Sequence, residues 1–399
     1  MNLKRQLLVS FGLQGAGAAA VLLATLLLGA RLGPEVQGEF SRTKSEIEFV
    51  AAFAMFGLPQ ALFFFVKSGR LGARVALRRA LGCALLALPL AAVYAGWRHA
   101  PDGIEVIVLL SLAVAATVAH GQLRALLLVR ERTVWFNVIT ALPQVLVMLG
   151  VLHVVARGPA DGHAWPALFA LACAIAAAIS WARLRSAPEA SPNALPDAQV
   201  GWRALGHYGL AAWLTAALST AAILLVQRWV EVAQGGAALG RFTLAMTLVQ
   251  VPLTPISYAA PLLLRRWMER PGARASQRVA GIVFGLLMAA AMLTWAAAGA
   301  WPNLGLGAAY ADATGALAVL LAGGAAEAAS RVLTVQASAA GLPWVAVRAE
   351  AARWAVLATG WLVWPMPGLL SVCVIWAAGA WASGAVFVWQ ARADSTRAA

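Results

Sequence analysis

The stretch LLVSFGLQGAGAAAVLLATLLLGA, Leu7–Ala30, carries no ionisable side chain. As one α-helix it is long enough to cross a hydrocarbon core about 30 Å thick. Two longer uncharged runs follow, Val279–Ala311 and Trp354–Trp389. Apolar stretches of spanning length recur throughout, and they predict helices near 7–30, 43–66, 76–97, 104–128, 134–156, 164–184, 206–229, 240–264, 277–299, 310–335, 344–365 and 368–390. The fold class that follows is an all-α integral membrane protein with about 12 transmembrane helices.

Composition agrees. Of 399 residues, 62% are hydrophobic and 12% charged, the latter about half the share of a soluble domain. No stretch is left over for an extramembrane catalytic domain. The net charge of +14 is spread over short loops between helices, as basic cytoplasmic loops are, so it does not indicate nucleic acid. Cys83, Cys173 and Cys373 each lie inside an apolar helix, far apart. They read as buried hydrophobes, without metal spacing or a disulfide framework. The start MNLKRQLLVSF is read as an uncleaved first helix. The apolar run is too long for a signal peptide, and Gly33-Pro34 is no cleavage site.

Orientation follows from Lys and Arg. Of 30, nineteen fall on the side of the N-terminus and seven opposite; Arg124, Arg331, Arg348 and Arg353 lie within helices. This bias places both termini in the cytoplasm. Trp97, Trp135, Trp202, Trp229, Trp267, Trp301 and Trp344 stand near predicted helix ends, where an interfacial belt belongs.

Residues 186–203, SAPEASPNALPDAQVGWR, have linker composition. They divide the chain into six-helix halves, 1–185 and 204–399. The halves repeat. Gly33, Gly38 and Phe40 match Gly235, Gly240 and Phe242 at an offset of 202, and Pro59 then falls on Pro261 and Leu62 on Leu264. Six helices repeated in the same orientation imply two lobes related by a pseudo-two-fold axis along the membrane normal. Such lobes are typical of secondary transporters.

The segment ARLGPEVQGEFSRTKSEIEFVAAFAMFGLPQALFFFV, through Arg31, Leu32, Gly33, Glu35, Gly38, Gly57, Leu58, Ala61 and Leu62, resembles the opening of the Wzx-like polysaccharide flippases. These belong to the multidrug/oligosaccharidyl-lipid/polysaccharide (MOP) exporter superfamily. GGAALGRFTLAMTLVQVPLTPISYAAPLLLRR and QLRALLLVRERTVWFNVI are similar to later parts of that family. The resemblance implies flipping of an undecaprenyl-pyrophosphate-linked oligosaccharide from the cytoplasmic to the periplasmic leaflet of a bacterial inner membrane, by alternating access. The family's seventh helix often carries an acidic residue near its periplasmic end; here the local charges are Arg228 and Glu231, and no coupling-ion assignment is carried over from the resemblance.

A lipid pyrophosphate calls for cations, and a cation within a membrane is costly unless it faces water or a partner. Arginine suits phosphate because its planar fork bonds two oxygens. The substrate-binding candidates are Arg31, Arg42, Lys44, Arg228 and Arg241 toward the periplasm, and Arg124, Arg331, Arg348 and Arg353 in the cytoplasmic half. Snorkelling at helix ends is an equally good reading of Arg31, Arg124 and Arg241. Arg331 follows Glu327 by four residues and Arg353 follows Glu350 by three, spacings that suit internal ion pairs. Glu46, Glu48 and Glu327 are the ion-coupling candidates. His120 reads as a histidine hydrogen-bonded to a neighbour. Pro252 and Pro255 are expected to kink the eighth span.

No GxxxxGK[ST], HExxH, CxxC or Ser-His-Asp pattern is recognisable, so the chain is read as no enzyme and without cofactor. Its expected partners are the lipid-linked oligosaccharide, membrane lipids and other glycan-assembly proteins, not nucleic acid. Two alternatives stand beside the flippase. One is a cation-coupled multidrug exporter of the same superfamily, which calls for unpaired acidic residues. The other is an integral-membrane glycan polymerase or ligase, which usually needs a large periplasmic loop.

Overall fold

The computed structural model describes residues 3–67, 69–129, 133–158, 163–185, 200–269, 273–297, 310, 313–340 and 342–397. Twelve α-helices stand among the described residues, and no strand does: α1 Leu3–Ala54, α2 Leu58–Lys67, α3 Ala73–His99, α4 Ile104–Val129, α5 Thr133–Arg157, α6 Ala164–Arg185, α7 Trp202–Gln234, α8 Gly236–Glu269, α9 Ala273–Ala296, α10 Ala313–Ala339, α11 Trp344–Val363 and α12 Leu369–Arg397. A short 3-10 turn, Ala100–Asp102, follows α3. Among the described residues, ten helices are long and apolar enough to cross a bilayer, so this is a multi-pass membrane protein. In α1 the 46 residues Val9–Ala54 make one of these, and the twenty-residue α11 stands apart because it carries Arg348, Glu350 and Arg353.

The second span departs from the expected 43–66. α1 has two arms that meet at Gly33, whose φ of 87° and ψ of 173° interrupt the helix. Glycine tolerates that conformation, and Pro34 then suits the first position of a new helix. The second arm therefore begins about one loop earlier than the charges at 42–48 suggest. Those charges sit on continuous helix because Lys44 pairs with Glu48 and Glu46 is buried. The arm stops at Met55–Gly57, where Phe56 (φ 48°) and Gly57 (φ 62°) turn the chain into α2. α8 runs unbroken through Pro252 and Pro255. Most of the linker, 186–199, lies outside the described residues.

Packing divides the chain into two compact units. Unit 1 comprises Met1–Ala24 and Arg42–Thr220; unit 2 comprises Thr25–Ser41 and Ala221–Ala399. α1 and α7 each contribute to both.

In unit 1, α4 packs against α2, α3, α5 and α6. Small residues make the contacts. α3 buries Ala76, Ala80, Ala84, Ala87, Ala91 and Ala95, spaced three or four apart, together with Cys83, and exposes Leu85, Leu86, Val93 and Trp97. This inverts the soluble pattern: lipid is as apolar as leucine, so close van der Waals packing of small side chains drives association.

In unit 2, α10 is the most enclosed helix, with 72% of its apolar stretch buried, and it packs on α8, α9 and α12. The two glycine turns of the internal repeat meet here. A Cβ on Gly240 would stand 1.8 Å from the Pro34 carbonyl oxygen, and one on Gly38 would stand 2.6 Å from that of Gly236. Since 34 + 202 = 236 and 38 + 202 = 240, these are one contact made twice.

All three cysteines are free and buried, as expected. The tryptophan belt is only partly realised. Trp97, Trp202 and Trp344 are exposed, whereas Trp229 and Trp267 are buried. Trp229 turns inward because its Nε1 donates to the Pro365 carbonyl at 3.0 Å. Trp301 lies outside the described residues.

Candidate functional site

The densest buried charge lies in unit 2, on α10 and α11. Glu327 is 8% exposed, and its Oε1 accepts from Arg331 one helical turn later at 2.6 Å. Arg331 also reaches α8, donating to Gln250 Oε1 at 3.1 Å and Ser257 Oγ at 2.8 Å. The guanidinium is thus fixed from two helices by three groups. α10 approaches α8 this closely because Gly324 carries no side chain; a Cβ there would lie 2.7 Å from Val249 Cγ1. Gly323 does the same for α12, with Ala377 Cα at 2.7 Å.

On α11, Arg353 is 3% exposed. Its Nε lies 3.7 Å from Glu350 Oε2, too far for a hydrogen bond, and neither atom has a hydrogen-bond partner. The guanidinium instead lies over the Trp376 ring, 5.3 Å from its centroid, where the ring quadrupole attracts it. Glu327 feels Arg331 and Arg353 together, and Glu350 feels the same two arginines and Glu327. The two helical pairs together carry four charges that sum to zero when all are ionised. A single charge at a helix centre costs about 2.5–3.5 kcal/mol in a bilayer; the arrangement leaves none alone.

The other cationic candidates are dispersed. Arg228 is exposed and bonds Glu231 at 2.7 Å. Arg31 and Arg348 are exposed. Arg241 is half-buried, with its charge felt by Tyr310. Tyr310 donates to Gln37 Oε1 at 2.5 Å, and Gln37 Nε2 donates to the Gly240 carbonyl at 3.2 Å. This buried chain of bonds braces the paired glycine turns.

In unit 1, Lys44 and Glu48 pair at 2.7 Å on a half-exposed face. Arg42 is half-buried on the same arm. Arg124 is half-buried and lies over the Phe136 ring, 5.7 Å from its centroid. His120 Nε2 donates to the Ile139 carbonyl at 3.0 Å, the neighbour bond expected of it. Glu46 turns inward to His99, its Oε2 3.0 Å from Nε2, and His99 Nδ1 lies 2.8 Å from Asp102 Oδ2. A second polar group joins Ser10 and Gln14 of α1 to Asn137 of α5. Asn137 donates to Ser10 at 2.8 Å, and Gln14 donates to Asn137.

His99, Asp102, Gln14, Asn137, Gln37 and Gln250 are absent from the sequence candidates. His99 falls just past the predicted end of its helix, whereas α3 runs through it. Gln14 was legible as a rare polar side chain in the uncharged run Leu7–Ala30.

The sequence matches no protein-family model and no curated protein. Solved structures match along nearly the whole chain. A Vibrio cholerae MATE transporter, VcmN, is 16% identical with a TM-score of 0.66, covering 99% of this chain and 97% of its own. A MOP superfamily transporter from Pyrococcus furiosus is 16% identical with a TM-score of 0.69, covering 99% and 96%. The lipid II flippase MurJ is 10% identical with a TM-score of 0.72, covering 94% and 86%. The chain therefore has the two-lobe, twelve-helix fold that MATE transporters and MurJ share.

Proposed function

We propose that this chain is a membrane transporter of the MOP superfamily that flips an undecaprenyl-pyrophosphate-linked oligosaccharide across a bacterial inner membrane, by alternating access and with both termini cytoplasmic. The shared fold supports transport in general, since it is found both in MATE transporters and in the lipid II flippase MurJ. One observation favours the anionic lipid. The buried carboxylates Glu46, Glu327 and Glu350 each lie within 4 Å of a cationic or protonatable partner, whereas an organic cation calls for acidic groups still to be neutralised. Arg331 is the strongest substrate contact. It is held in shape by Glu327, Gln250 and Ser257, yet its side chain stays 31% exposed.

A multidrug exporter remains the second reading, carried by the structural match to MATE transporters. Proteoliposomes separate the two. A fluorescent undecaprenyl-pyrophosphate oligosaccharide on one leaflet is expected to exchange in a protein-dependent manner, with no uptake of ethidium. Ethidium transport without lipid exchange overturns the flippase assignment in favour of the exporter.

A further inference from the structure

We infer that Glu46 is a proton-loading carboxylate served by His99 and Asp102, which together make a relay from water into unit 1. The use of that proton in transport rests on the function proposed above; its binding does not.

The three groups lie in a line of decreasing exposure. The Asp102 side chain is 57% exposed, that of His99 11% and that of Glu46 5%. One imidazole bridges the two carboxylates, Nδ1 to Asp102 at 2.8 Å and Nε2 to Glu46 at 3.0 Å. Glu46 from the second arm of α1 and Asp102 from the 3-10 turn are the ionisable groups acting on the ring. Arg98 is its chain neighbour, and Glu105 opens α4, which packs on α3.

Counting donors carries the argument. Ionised carboxylates only accept, so both contacts hold together only when the set has one proton more than a neutral ring and two carboxylates. That proton sits on the ring as imidazolium or on one of the acids. That extra proton comes from water: starting from two carboxylates and a neutral ring with its hydrogen on Nε2, a proton binds Asp102 and passes to Nδ1, and the proton on Nε2 passes to Glu46 Oε2. Asp102 is again a carboxylate, the ring is neutral with its hydrogen on Nδ1, and Glu46 is a neutral carboxylic acid. The reverse sequence unloads it. Histidine is the side chain suited to such a relay near neutral pH.

The other two ion-coupling candidates lack this arrangement. Glu48 is half-exposed and paired with Lys44, and Glu327 is closed by Arg331, which cannot release a proton. The consequence of loading is specific. Neutralising Glu46 removes a buried charge from the arm of α1 that ends at the Phe56–Gly57 turn, and thereby alters what holds that arm to α3.

The test is infrared difference spectroscopy of the full-length protein in detergent after a pH jump. Wild type is expected to show a protonated-carboxyl band that Glu46→Gln abolishes. His99→Gln and Asp102→Asn are expected to keep the band and slow its appearance, on the order of a hundredfold. Asp102 is mostly exposed, so Asp102→Asn keeps the test decisive where the buried substitutions disturb folding. An unchanged band in Glu46→Gln, or unchanged rates in both relay variants, overturns the relay. The lipid-exchange assay is scored separately. Loading of Glu46 without lipid exchange leaves the relay and removes the flippase; exchange without loading does the opposite.

Discussion

Gly240 lies against Pro34 so closely that a methyl group on its Cα would stand 1.8 Å from the Pro34 carbonyl oxygen. The same contact recurs 202 residues out of step, between Gly38 and Gly236. Two turns with equivalent sequence thus grip each other by exchanging glycine and carbonyl, and Tyr310 and Gln37 hydrogen-bond the junction.

Gly240→Ala is expected to lower the thermal unfolding temperature in detergent, with a cost of about 1–3 kcal/mol for overpacking. Gly38→Ala is expected to follow in the same direction with a smaller effect. Gly12→Ala is the control, since nothing lies within 4 Å of its added Cβ. Equal melting of Gly240→Ala and Gly12→Ala would contradict the contact.

Arg353→Met takes from Glu350 the cation that lies 3.7 Å away on the same helix. Breaking a buried pair by removing one partner costs about 3–5 kcal/mol, so the variant is expected to be strongly destabilised in chemical denaturation. The double substitution Glu350→Gln, Arg353→Met is expected to recover most of the loss, because it removes both charges. A double variant as unstable as Arg353→Met would show that Trp376, rather than Glu350, is the partner that matters.

Arg331→Lys keeps the charge and discards the planar fork that reaches Gln250 and Ser257 together with Glu327. Hydrogen bonds to charged groups are worth about 1.5–3 kcal/mol. Lipid exchange in proteoliposomes is expected to fall on the order of tenfold, with the folded fraction little changed by size-exclusion chromatography.

Lys44→Ala is expected to change unfolding free energy by no more than about 0.5 kcal/mol. The pair with Glu48 is half-exposed and spaced i,i+4, where helical ion pairs contribute little. A loss of several kcal/mol in denaturation would mean that Lys44 holds something besides Glu48.

Charge-free runs such as Leu7–Ala30 and Trp354–Trp389 determined from the sequence alone that the chain crosses a membrane as helices, because hydrocarbon excludes ions and length sets the number of turns. The repeat at 202 and the spacings 327/331 and 44/48 were also legible, since neighbours three or four residues apart share a helical face whatever surrounds them. Tertiary structure decided the rest. It started the second arm of α1 at Pro34, brought His99 to Glu46 across 53 positions, joined Arg331 to Ser257 across 74, and made the two repeated glycine turns partners. Helical periodicity says which side chains point the same way; only the packing of small residues between helices says what they meet.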